Sequence, residues 1–236
     1  MTGVVTLVRC GEPLPANWSA SVYLAGPAAR EPGGGSWRAV AASALAARWH
    51  FPGKLVIFDP ELPDRCEPSY DCVPADLVDQ ARWEEEVLAA ADIVAFWVPR
   101  DLHLMPGLNT NVKWGAWYAT GRCVLAAPSR APGNAYLRLT AQQHDVPVAS
   151  DIPGMTEHVI SSLGGGAERA GPSRQVPLLV WRTEAFRRWQ AREHQPPGLL
   201  RVVWSRPGRS GQDADWVLEA STESGSVLVA SWTVAL

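Results

Sequence analysis

An α/β fold, a three-layer parallel sheet with helices on both faces, is predicted by three features of the sequence. Short apolar runs alternate with longer stretches carrying apolar residues at helical spacing, the pattern of successive βαβ units. The runs are continuous rather than alternating (VYLA at 22–25, LVIF at 55–58, IVAFWV at 93–98), as strands buried on both faces require. Gly and Pro close them, at Gly26-Pro27, at Pro60 and at Pro99.

Taken in order, Val4–Val8 reads as a first strand and Ser21–Ala25 as a second. Residues 28–35, with Gly33, Gly34 and Gly35 in succession, read as a loop. Ser36 is placed to cap a helix from Trp37 to Arg48. Lys54–Phe58 is the next strand, followed by Asp59-Pro60-Glu61 at its carboxyl end. A helix then runs from Pro74 or Asp76 to Ala90. The strand Ile93–Val98 leads into a polar loop carrying Arg100, Asp101, His103 and Asn109. Thr110 stands where an N-cap is expected, before a helix over Asn111–Ala119 that Gly121 stops. Cys123–Ala126 (strand), Asn134–Gln143 (helix), Val146–Ala149 (strand) and Met155–Leu163 (helix) complete a first domain over 1–163. Residues 164–174, GGGAERAGPSR, have linker composition. Beyond it, 175–236 reads as a small α+β appendage. Its strands are Val176–Trp181 and Leu199–Trp204, with a helix over Thr183–Glu193 and a hairpin of Asp215–Ala220 with Ser226–Val234.

Composition narrows the function. The formal charge of −3 gives no electrostatic reason to bind nucleic acid or a membrane surface. No apolar run approaches the roughly 18 residues of a spanning helix, and the first residues lack the charged and apolar regions of a signal peptide. A cytoplasmic protein is expected. Cys10, Cys66, Cys72 and Cys123 are too scattered for a zinc site. The Gly33–Gly35 run lacks any phosphate-loop or dinucleotide fingerprint, so no cofactor is implied. Twelve Trp point to a well-packed core and aromatic-walled pockets.

The stretch MPGLNTNVKWGAWYATGRCVL at 105–125, with VYLAGP at 22–27 and SWR at 36–38, resembles the nucleoside 2-deoxyribosyltransferase-like proteins. The resemblance covers about residues 20 to 150. It implies a small-molecule partner, a nucleoside or nucleotide, and an enzyme of pentosyl transfer or N-glycosidic hydrolysis. It also implies a homodimer or higher oligomer, because members build their sites near subunit contacts. Family members read TNVEFG where this chain reads Thr110-Asn111-Val112-Lys113-Trp114-Gly115, and that Glu is their nucleophile. Lys113 stands in its place. The resemblance further matches Tyr23 to a family Tyr, Asp92 to an acidic position, Trp83-Glu84 to a WE pair, and Asn111 to the Asn beside the Glu.

Catalytic roles are therefore assigned to Glu84, Asp92 and Lys113. Substrate binding is assigned to Tyr23, Gly26, Asp59, Arg100 and Asn111, with the pocket at the carboxyl ends of the strands. From residue type alone, Tyr23 in a strand is more often a core residue than a ligand, Asp92 can simply stop the preceding helix, and Glu84 with Glu85 and Glu86 forms an acidic run of the kind that is usually a solvated face. Lys113 cannot be a glycosyl nucleophile in the family's manner, but it can bind an anion or pair with Asp92 or Glu84. Two readings stay open: an enzyme acting on an N-glycosidic bond through an altered site, or a catalytically inactive member that binds nucleotides or protein partners.

Overall fold

The computed structural model describes residues 3–28, 36–61, 75–192, 200–205, 213–222 and 225–235. The Gly33–Gly35 run and both Cys66 and Cys72 lie outside them. The elements follow in chain order as β1 (Val4–Arg9), β2 (Asn17–Trp18), β3 (Ala20–Ala25), α1 (Trp37–Arg48), β4 (Lys54–Asp59), α2 (Ala75–Ala90), β5 (Ile93–Trp97), α3 (Leu108–Trp117), β6 (Cys123–Ala126), α4 (Ala135–Gln143), β7 (Val148–Ala149) and α5 (Ile152–Leu163). Then come β8 (Arg169–Ala170), α6 (Leu178–Trp181), α7 (Glu184–Arg192), β9 (Leu200–Ser205), β10 (Asp213–Thr222) and β11 (Gly225–Ala235).

Six strands form one parallel sheet in the order β1-β4-β3-β5-β6-β7. Every residue of β3 and β5 is buried, because helices cover both faces and leave these strands no solvated side. One face carries α1 and α5, packed through Ala41, Leu45, Met155, Val159 and Leu163 onto Leu24, Ile57 and Ala95. The other carries α2, α3 and α4, packed through Trp83, Val87, Trp114 and Leu137 onto Tyr23, Phe58, Val94 and Phe96. The parallel α/β sandwich expected from the alternation of runs is the fold observed.

Caps fix the helix ends that matter for the site. Ser36 begins α1 by accepting a hydrogen bond from the Arg38 amide at 3.2 Å. Arg122, wholly buried, closes the carboxyl end of α2 by donating to the Leu88, Ala89 and Ala91 carbonyls. Its guanidinium also lies 4.9 Å from the Trp117 ring, and burial brings its pKa down to about 10.

Three local expectations are corrected. Helix α3 starts at Leu108, not after Thr110, because Gly107 takes a left-handed conformation (φ 66°) and turns the chain three residues early. Thr110 is thus a buried residue of the first turn, and Lys113 sits beyond the capping positions. Residues 176–181 are not a strand. Pro177 has no amide hydrogen for a ladder, and its φ of −60° leads into the short helix α6. The last strand of the large sheet is confined to Val148–Ala149, since β7 meets β6 only at Leu125 and Ala126.

Beyond the main sheet, β9, β10 and β11 form an antiparallel sheet in the order β11-β10-β9. The segment with linker composition is not a free connector. Its strand β8 pairs with β2, and its Arg169 is among the largest fully buried side chains.

Candidate active site at the carboxyl ends of the strands

Tyr23 stands in the middle of β3, the strand with β4 on one side and β5 on the other. Its ring faces α2 and α3 and is fully buried. Two helices deliver charge to its hydroxyl. From α3, Lys113 donates a 3.1 Å hydrogen bond to Tyr23 Oη, with its Nζ 5.6 Å from the ring centroid. From α2, Glu84 Oε2 pairs with Lys113 Nζ at 2.6 Å. The second Glu84 oxygen, Oε1, accepts from Gln80 Nε2 at 3.2 Å, and that amide also donates to the Pro60 carbonyl. The Glu84 carboxylate is thus held from two sides, by Lys113 and Gln80, with its side chain 14% exposed and that of Lys113 23% exposed.

The electrostatics follow from burial. Tyr23 is pushed well above its ordinary pKa of 10.0, first by desolvation and then by the Glu84 carboxylate beside it. Lys113 is lowered from 10.5 because burial disfavours its charge more than Glu84 restores it. Cys10, just past β1, and Arg38 act electrostatically on the same two groups.

Arg38 adds a second charged layer. It enters from the first turn of α1 and donates to the Leu24 carbonyl at 3.3 Å and the Gly26 carbonyl at 2.6 Å. It lies 3.6 Å from both Asp59 and Glu61, and over the Trp37 ring. Glu61 in turn bonds the Ser36 hydroxyl. Burial raises Asp59 from its ordinary 3.8, against the pull of the Glu61 amide and Arg38. Gly26 is required here by space. A Cβ on it would stand 2.2 Å from the Trp97 carbonyl oxygen and 2.7 Å from the Trp37 ring. The close approach of the Trp97 carbonyl and the Trp37 ring to this backbone depends on that missing side chain.

The sequence-derived site is therefore brought together in part. Tyr23, Glu84 and Lys113 touch, and Gly26 and Asp59 adjoin them through Arg38. Asp92 is elsewhere. It precedes β5, at the amino end of the sheet, and its side chain is 1% exposed. Oδ1 accepts from Arg169 Nη1 at 2.6 Å and the Leu178 amide at 2.7 Å. Oδ2 accepts from Arg169 Nη2 at 2.5 Å and from the Ser21 amide at 2.8 Å. With every lone pair committed, Asp92 is a structural clamp and cannot share a pocket with Lys113.

Arg100 and Asn111 also form a separate pair, joined at 2.5 Å. Asn111 and Lys113 are two residues apart on α3, about 200° around the helix, so they face opposite flanks. Asp101 and His103 are parts of a turn, in which Asp101 accepts from the His103 and Leu104 amides. Arg38, Glu61 and Gln80 carry no role in the sequence reading. The signals were there, in the SWR segment behind a helix cap and in the acid-Pro-acid run after a strand.

Residues 19–131 match the family model described as nucleoside 2-deoxyribosyltransferase like. Those residues are similar to that family. The match spans β3 to β6 and contains Tyr23, Arg38, Asp59, Glu84 and Lys113, so the charged cluster lies within the nucleoside 2-deoxyribosyltransferase-like segment. No curated protein matches the chain. Among the described residues, no group of three or more His, Cys, Asp or Glu is placed to hold a metal ion, and no helix is long and apolar enough to cross a membrane.

Proposed function

We propose that the protein binds a nucleoside or nucleotide over Tyr23, Asp59 and Glu84 and hydrolyses its N-glycosidic bond. One observation carries the reading: a carboxylate, Glu84, is held by Lys113 and Gln80 against the hydroxyl of a buried Tyr on a central strand. The TNVEFG pattern that residues 110–115 resemble has a Glu where Lys113 stands. Here the acid comes from the neighbouring helix, and Lys113 positions it.

The chemistry asks for a carboxylate beside the anomeric carbon, where an oxocarbenium-like centre develops. Glu84 accepts a proton from water as the water oxygen bonds to that carbon. The bond from the carbon to the base nitrogen breaks, and its electron pair leaves with the base, which then takes up a proton from solvent. Asp59, at the carboxyl end of β4, binds sugar hydroxyls. Because Glu84 has its oxygens in two hydrogen bonds, it suits water activation better than formation of a glycosyl ester.

Incubation with a panel of deoxynucleosides and nucleotides, with and without an acceptor base, tests this. Free base should appear without exchange. Rapid base exchange would refute the hydrolytic assignment, and binding without turnover would favour the inactive reading, to which the close Lys113–Glu84 pair also lends support.

Self-association belongs to the same proposal. Leu108 and Val112, 66% and 73% exposed, lie one turn apart on α3, and exposed Leu102 and Leu104 precede them. These apolar side chains suit a subunit contact. Light scattering at micromolar concentration should give at least a dimer mass, and a monomer mass would reject this part of the proposal.

A further inference from the structure

A second concave site lies on the other flank of α3, between it and the start of α4. It is a cleft of about 380 Å³, and Asn111, Trp114, Gly115, Tyr118, Gly133 and Tyr136 line it. Gly133, in the segment between β6 and α4, forms one edge of it. Nothing in the proposed hydrolysis uses it.

Its walls offer two kinds of recognition. Trp114 and Tyr118 stack on each other with ring centroids 5.8 Å apart, and Tyr136 stands 70% exposed at the edge. Tyr136 offers an open face for a flat ring, and the buried Trp114, packed between Phe96 and Tyr118, forms the apolar wall behind it. The floor is positive. Arg100 is 92% buried by its 8% exposure, yet no carboxylate among the described residues pairs with it. One terminal nitrogen donates to Asn111, while Nε, also buried, has no partner. A Cβ on Gly133 would lie 3.5 Å from Arg100 Cδ and 3.6 Å from Nη1, so the guanidinium backs directly onto the lining. A buried cation left without a counter-ion is costly unless a ligand supplies one.

The start of α4 points to the same ligand charge. Asn134 occupies the N-cap but makes no capping bond: its Nδ2 donates to the Val98 carbonyl, and its Oδ1, the atom that would accept from a helix amide, is buried without a partner. The first amides of this nine-residue helix, at Ala135, Tyr136 and Leu137, therefore lack a side-chain cap beside a cleft that Tyr136 helps to line. Helix amides and an unpaired Arg together suit a phosphate better than either does alone.

The geometry points to this cleft as a binding site for a phosphate monoester carried on a flat-ringed molecule. The ring lies on Tyr136 and Tyr118, and the phosphate sits between Arg100 and the start of α4. This inference stands apart from the hydrolytic reading, because α3 separates the cleft from Glu84 and Lys113.

Photolabelling with 8-azido-AMP tests it. Label should appear in the peptides holding residues 111–118 and 133–137, equally in the natural chain and in Glu84→Gln. AMP should compete at least tenfold better than adenosine or inorganic phosphate alone. Gly115→Leu is the blocking variant, since a Cβ at Gly115 meets nothing within 4 Å and the added side chain enters the cleft without straining the fold. It should cut labelling at least tenfold with thermal unfolding unimpaired. Arg100→Met should remove the preference for AMP over adenosine. Absence of label there, persistence of label in Gly115→Leu, or equal competition by adenosine would each overturn the assignment. Absence of base release in the nucleoside panel would leave the labelling result intact.

Discussion

Asp92→Asn should cost the fold about 3–5 kcal/mol, because it leaves the Arg169 guanidinium buried without its counter-charge. That is a large part of the 5–15 kcal/mol by which domains are stable, so the variant should be poorly folded at ordinary temperature. The expectation rests on geometry. Arg169 makes two parallel bonds to the carboxylate, and its remaining donors reach the Val176, Ser19 and Ala167 carbonyls. Asn cannot accept both guanidinium bonds. Arg169→Met should be comparably destabilising from the other side, leaving the carboxylate buried with its amide donors but without a counter-charge. The double variant should cost less than the two single costs added, since neither charge is then stranded. Urea unfolding of the four proteins checks this. A stable Asp92→Asn protein that has lost only turnover would return Asp92 to the catalytic list.

Asp92 also shows what a single sequence can and cannot reveal. An acid immediately before a buried strand matches a family position, but its role depends on a partner 77 residues later. That partner is in a Gly-rich stretch whose composition reads as a linker. No local pattern announces that Arg169 turns inward. The fold itself was legible, because continuous apolar runs and their Gly and Pro stops are local signals that tertiary packing does not reverse. Helix boundaries were less so. Thr110 has the chemistry of a cap, yet a left-handed Gly107 starts the helix ahead of it. Lys113 is an intermediate case. Its options included pairing with Glu84, and helix packing selects that partner over Asp92 by placing the two acids at opposite ends of the sheet.

Glu84→Gln should reduce base release by about three orders of magnitude or more while leaving the fold in place, since loss of a required group typically costs that much. Gln is isosteric and can keep a hydrogen bond to Gln80, but it cannot take a proton from water. Lys113 bears on pH. Its pKa lies below the ordinary 10.5, so on raising pH it loses its charge before an exposed lysine would, and with it the ion pair that orients Glu84. Turnover should therefore decline on an alkaline limb below pH 10.5. Lys113→Arg, charged throughout that range, should move this limb upward. The geometry also dictates how exchange activity is to be restored. Lys113→Glu alone would set a second carboxylate against Glu84, and two such groups at one site cannot both ionise readily. Base exchange should appear only when Lys113→Glu is combined with Glu84→Gln, which leaves one acid beside Tyr23. Measuring exchange in the single and double variants decides it. Exchange by Lys113→Glu alone would show that Glu84 does not share the reacting site.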